Sequence, residues 1–183
     1  MRHRLPVHLG VEDAEGRSTE VSVVAGSLFE ASAPSPPPDS WASRPDTHLG
    51  IWTLKMQPGA RFTLPAAARG LNRTLYFFAG KSITIADKAL ASHAAVKVVS
   101  NVDVVLENGP EHAEILVLQG KPIAEPVVQY GPFVMNTRAE IQKAMMDYQS
   151  TRFGGWPWPS DGPVHAREEG RFAKHADGRV ERK

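Results

Sequence analysis

At 183 residues the chain fits one domain, large enough to bury a core without staples, and a second full domain is not expected. Lys plus Arg number 21 against 20 Asp plus Glu, so no global field favours nucleic acid or an acidic membrane, and neither is expected as a partner. With Cys at 0, disulfides, thiolate metal sites and thiol nucleophiles are excluded. No stretch approaches the roughly 18 apolar residues of a membrane span or the apolar core of a signal peptide, so a cytoplasmic location is expected.

Residues 1–16 are polar and carry Pro6, Gly10 and Gly16, which predicts an irregular entry arm. From Glu20 to Phe29 the alternation puts Val21 and Val23 on one face of a strand. Val24, on the other, implies burial on both sides or a bend at Gly26. Ala31 to Asp46 holds five prolines and four serines and reads as a long surface loop that Trp41 would pin. His48 to Gln57 then alternates well, with Leu49, Ile51 and Thr53 on one side and Trp52, Leu54 and Met56 on the other. Asn72 to Ala79 and Lys81 to Ala86 read as two strands about a tight turn at Gly80. Ala94 to Val99, Val102 to Glu107 and Ala113 to Leu118 complete the set. Many short strands at even spacing, and no helical period before residue 137, predict an all-β sandwich or barrel.

Helix is expected only near 138–150. Thr137 followed by Glu140 is a capping box. Ile141, Ala144, Met145 and Tyr148 then share one face, and Gly154 with Gly155 is the expected stop. Pro122, Pro126 and Pro132 mark Lys121 to Phe133 as an extended crossing segment. Residues 156–183 read as a tail, in which Trp156 and Trp158 are candidate anchors and the charged end is expected to be solvated and without fixed structure.

The run GKPIAEPVVQYGPFVMNTRAEIQKAMMDYQSTRFG resembles the closing signature of the pirin family, with Gly131, Pro132, Phe133, Asn136, Thr137 and Glu140 as its signature positions. Pirins are bicupins with a metal-binding N-terminal cupin and a metal-free C-terminal one, and the resemblance, over 17–155, is to the second half only. It implies a cupin-type antiparallel β-barrel or jelly roll with one C-terminal helix. It also implies a family in which some members have quercetin dioxygenase-like activity and others bind and regulate proteins.

Cupin metal centres use His-x-His, a carboxylate or amide, and a later His, a donor set suited to Fe, Mn, Ni or Cu. No His-x-His occurs here. Aligned on Gly80, the resemblance places the first two ligand positions at Ala66 and Ala68, whose methyl groups cannot coordinate. Of the 7 histidines, His93 and His112 are the two candidates for the barrel mouth. No phosphate loop or nucleophile elbow appears. Asp103, Glu107, Glu111 and Glu114 read as turn-flanking surface charges rather than an acid–base pair, and no catalytic residue is assigned. No cofactor is expected in this chain; the family's metal, expected to be Fe, would belong to the absent N-terminal cupin. The expected role is therefore a non-catalytic module, partnered by itself or by another protein chain. The alternative is part of a quercetin 2,3-dioxygenase-like oxidoreductase that draws its metal from a separate cupin chain or holds it at an unusual site of its own.

Overall fold

A computed structural model describes residues 6–159, 165–175 and 177–182. Residues 1–5 of the expected arm, and 160–164, 176 and 183 of the expected tail, lie outside the described residues. The chain divides between Ile123 and Ala124 into two compact units, each taken by itself.

The first unit is built from β1 (Val7–Glu12), β2 (Ser18–Ala25), β3 (Ser27–Leu28), β4 (Ala31–Ser32), β5 (Gly50–Met56) and β6 (Arg61–Leu64). It continues through β7 (Asn72–Ala79), β8 (Ile83–Ile85), β9 (Lys88–Leu90), β10 (Ala94–Lys97), β11 (Val104–Asn108) and β12 (Ala113–Gly120). A 6-stranded sheet runs β1-β2-β5-β12-β7-β10 and a 4-stranded sheet β6-β11-β8-β9. All their pairings are antiparallel. Alternate residues of both sheets meet in one core: Val21, Val23, Leu54, Met56, Leu75, Phe77, Ile115 and Val117 from the larger, Phe62, Leu64, Ile83, Ile85 and Leu106 from the smaller. Two apolar faces closed on each other in this way form an all-β, cupin-type jelly roll.

Several expectations change. Residues 7–12, expected to be irregular, form β1 on the edge of the larger sheet, paired Val7 with Val23 through Glu12 with Ser18. Val24 is 47% exposed, so β2 is one-sided. The bend is at Gly26, where φ is 72° and a Cβ would sit 1.9 Å from the Leu49 carbonyl oxygen. β7 and β8 do not form a hairpin. They lie in different sheets, and Gly80, at φ 112°, turns the chain from one to the other. β6 and β9 are further strands that the sequence reading lacked, as is the two-residue β4 inside the expected proline-rich loop. β6 is four residues in which Phe62 and Leu64 alternate inward. β9 returns on β8 across Ala86 and Asp87, both left-handed (φ 47° and 64°), the geometry of a type I′ turn without its usual Asn-Gly.

The second unit holds β13 (Val128–Tyr130), β14 (Phe133–Met135), α1 (Arg138–Thr151), β15 (Phe172–Lys174) and β16 (Val180–Arg182). The segment expected to cross in extended form turns back on itself. Tyr130 pairs with Phe133 around Gly131-Pro132, a two-residue turn whose first position has φ 55° and suits glycine. α1 begins as its capping box requires: Glu140 N–H donates to Thr137 Oγ1 (3.2 Å) and Thr137 N–H to Glu140 Oε2 (2.8 Å). Ile141 and Ala144 are its buried residues, whereas Tyr148 is half-exposed and joins Phe133 and Phe153 in edge-to-face ring contacts of 5.3–6.2 Å. The helix ends one turn earlier than the glycines, on Arg152 in the left-handed region. In the tail, Trp156 and Trp158 pack on each other, centroids 4.5 Å apart. The charged end, expected to lack structure, forms the β15–β16 hairpin, with Phe172 between His165 and the Arg182 guanidinium.

Candidate functional site

The inward alternation of β7 begins with a charge. Arg73, Leu75 and Phe77 point into the sandwich, and Arg73 is only 2% exposed. β12 likewise ends its inward series, Ala113, Ile115 and Val117, on buried Gln119, which faces Arg73 across the strand pair. The two satisfy each other: Arg73 Nε donates to Gln119 Oε1 at 2.8 Å. Arg73 Nη1 donates to the Pro65 carbonyl at 2.9 Å, and Gln119 Nε2 to the His48 carbonyl at 3.2 Å. Burial pushes the guanidinium's pKa below its ordinary value, and attraction to Asp103 opposes part of that shift. It remains a fixed cation.

Ala66 and Ala68 lie directly after the carbonyl that Arg73 holds. Their backbone is secured from β11 and its approach: Ala66 N–H donates to Asp103 Oδ1 (2.7 Å), Ala67 N–H to the Ser100 carbonyl (2.7 Å) and Ser100 Oγ to the Ala68 carbonyl (2.8 Å). At the positions where the resemblance puts the first two ligands there are thus two methyl groups, an occupied backbone and a neighbouring guanidinium. These residues do not fit a divalent cation, which needs lone pairs and is repelled by a positive charge held close by.

His93 and His112 are not brought together into a donor set. His93 is exposed, with its ring edge-on to Phe77 at 5.4 Å, the inward residue nearest the turn into β8. His112 is exposed, and its backbone carbonyl lies against Gly80. Among the described residues no group of three or more His, Asp and Glu side chains is placed to hold a metal. The acidic residues near β11 and β12 have other work: Asp103 holds Ala66, Glu107 pairs with Arg61 (3.1 Å) and Glu111 with Lys81. Tyr76, Phe77 and Phe78 divide between faces, Phe77 buried and the other two 39% and 47% exposed.

The signature residues are architectural in this structure. Gly131 and Pro132 make the β13–β14 turn, Phe133 enters the ring cluster, Asn136 Nδ2 donates to Glu125 Oε2 (2.8 Å), and Thr137 with Glu140 caps α1. The polar pair Arg73 and Gln119 was not singled out from the sequence. Its signal is present there, because each continues an inward alternation with a polar residue.

Residues 51–154 match the Pirin C-terminal cupin domain. A Pseudomonas aeruginosa protein that carries the name of a quercetin 2,3-dioxygenase is 34% identical over 133 residues, covering 71% of this chain and 45% of its own length. Human Pirin is 32% identical over 105 residues, 55% of this chain and 36% of its own. The crystal structure of quercetin 2,3-dioxygenase from Acinetobacter baumannii superimposes with a TM-score of 0.64 at 27% identity, over 81% of this chain and 48% of that one. The chain therefore spans about half or less of the length of these relatives.

Proposed function

Because the chain belongs to the pirin family, through its C-terminal cupin domain, we propose that it is a cupin module without a metal site of its own that acts by binding a second copy of itself or another protein chain. The observation that carries this reading is the buried Arg73, locked to Gln119 and Pro65 beside Ala66 and Ala68. Arg73 is a fixed cation beside the two positions, Ala66 and Ala68, at which the resemblance puts the first ligands of a metal-bearing cupin. The binding half of the reading rests on the outward face of the larger sheet. There Tyr76 and Phe78 are exposed, and Tyr76 stands opposite Leu116 of β12. Apolar residues grouped on an outer sheet face are a surface that a partner covers. No described helix is long and apolar enough to cross a membrane. A cytoplasmic location is a separate part of the proposal.

The names of the Pseudomonas and Acinetobacter proteins, together with their greater length, favour a second reading. In it this chain is part of a quercetin 2,3-dioxygenase-like oxidoreductase, with the metal, Fe in the first instance, on a separate cupin chain. Elemental mass spectrometry of the tag-free chain, with light scattering for its mass, tests the first reading. Substoichiometric metal and a dimeric or larger mass are expected. Near-stoichiometric iron, manganese, nickel or copper overturns it, and substitution of His93 and His112 then becomes the next step. A monomer without metal that gains dioxygenase activity on mixing with a metal-bearing cupin supports the second reading.

A further inference from the structure

A cavity of about 560 Å³ opens at the end of the sandwich where β5 begins and β12 finishes. Its size lies in the range of small-molecule sites. One wall is the proline-rich stretch with Pro34 and Pro36, and another is Trp52; Arg44 and His48 stand among the polar residues, and no carboxylate lines the cavity. Two features mark it as more than a gap between loops. Trp52 is 3% exposed, yet its indole Nε1–H is buried without a hydrogen-bond partner, a state that buried polar groups rarely keep. Arg44, in turn, is replaceable in its present pairing. It lies 3.5 Å from Asp46, which has a closer partner in Lys121 at 2.9 Å. Both partners of the Arg44 pair are more than half exposed, where such a pair contributes little.

We propose that this cavity binds a small aromatic carboxylic acid. The carboxylate takes Arg44 while Asp46 keeps Lys121. The flat body lies between the proline wall and the Trp52 edge, where rigid rings present area at little entropic cost, and a ligand oxygen accepts the orphaned indole N–H. The absence of any lining carboxylate selects for an anion over a cation or a neutral amide. This goes beyond the interaction role above and does not depend on it.

The test is a titration of the ¹⁵N-labelled full chain with sodium benzoate, at ionic strength held constant with NaCl, following the indole N–H resonances of the 4 tryptophans. Benzamide, the same body without the charge, is the comparison. The Trp52 resonance is expected to move saturably with benzoate while those of Trp156 and Trp158 stay in place, and Arg44→Gln is expected to weaken benzoate about tenfold, as loss of a charge-assisted contact does. Arg44 is an exposed residue, so that variant keeps its fold. Trp52→Phe assigns the resonance; if that variant fails to fold, through-space contacts from the indole to Val23, its cross-strand neighbour, assign it instead. A Trp52 resonance that does not move, an equal response to benzamide, or unchanged affinity in Arg44→Gln overturns the proposal.

Discussion

The two ends of the sandwich are closed by different means. Where β5 finishes, Asn108 plugs the gap with an uncharged amide, its Nδ2 within 2.7–3.2 Å of the carbonyls of Met56, Gln57 and Glu111. Asp13 completes that end by accepting backbone N–H groups from Glu15, Arg17 and Arg61, which ties the β1–β2 turn to the opposite sheet. Where β5 begins, the plug is a charge, Arg73, braced by a side-chain amide and one carbonyl, and beside it lie a cavity, an orphaned indole and a left-handed histidine. Each end leaves buried polar atoms unpaired, Asn108 Oδ1 and Thr19 Oγ1 at the first and Trp52 Nε1 at the second. The second differs in holding a guanidinium only 2% exposed beside an open cavity, the pattern expected where stability has been yielded to recognition.

The sharpest way to break this contrast is Asn108→Ala, which strips the shared donor from three carbonyls and should cost about 3 kcal/mol in urea unfolding, since buried groups left unpaired carry their full desolvation penalty. A control away from both ends is Thr137→Ala, expected to cost about 1 kcal/mol as loss of an N-cap; hydrogen exchange should show the loss in α1. Arg73→Met, similar in volume, should cost about 1 kcal/mol: Gln119 Oε1 and the Pro65 carbonyl lose a donor, but the desolvation of the buried charge is relieved. If Arg73→Met proves as damaging as Asn108→Ala, the two ends are equivalent plugs and the contrast fails. The last effect is one of pH. Burial alone would raise the pKa of Asp13, but hydrogen bonds from the backbone N–H groups of Arg61, Arg17 and Glu15 and from the Arg17 guanidinium outweigh it, lowering the pKa from 3.8 to about 2. A lowered folded-state pKa gives stability that is present above 3.8 and lost as pH falls toward 2. Acid titration of wild type against Asp13→Asn should show that slope only in the former.

Much of this was legible in the sequence wherever one physical signal dominated. Period-two alternation in Trp52, Leu54 and Met56, and in Val21 and Val23, found central strands because one face of each is fully dry. The Thr137 and Glu140 pair found the helix start because its two hydrogen bonds are local. What escaped depends on partners distant in sequence or on turns with unusual residues. β1 is polar enough to pass for a coil, and is a strand because β2 offers an edge to it. β9 follows a turn made by Ala86 and Asp87, neither of which signals a positive φ as glycine does. The β13–β14 hairpin was hidden by reading Pro132 as a mark of extension, although Gly131 before it supplies the turn. At the site, Ala66 and Ala68 could be read as unable to bind metal, but their neighbour Arg73 required knowing that β7 and β12 pair with Arg73 opposite Gln119.

The place of β12, between β5 and β7, has a consequence for how the chain is made. β5 is finished at Met56, but the strand that covers its free edge does not begin until Ala113, so at synthesis rates of roughly 5–20 residues per second the nascent chain waits about 3 to 11 s with that edge unpaired. During this interval the ribosome presents a row of backbone donors and acceptors flanked by Trp52, Leu54 and Met56. Shielding by a chaperone, or a pause-free stretch of translation between those two points, should therefore raise the yield of correctly folded protein.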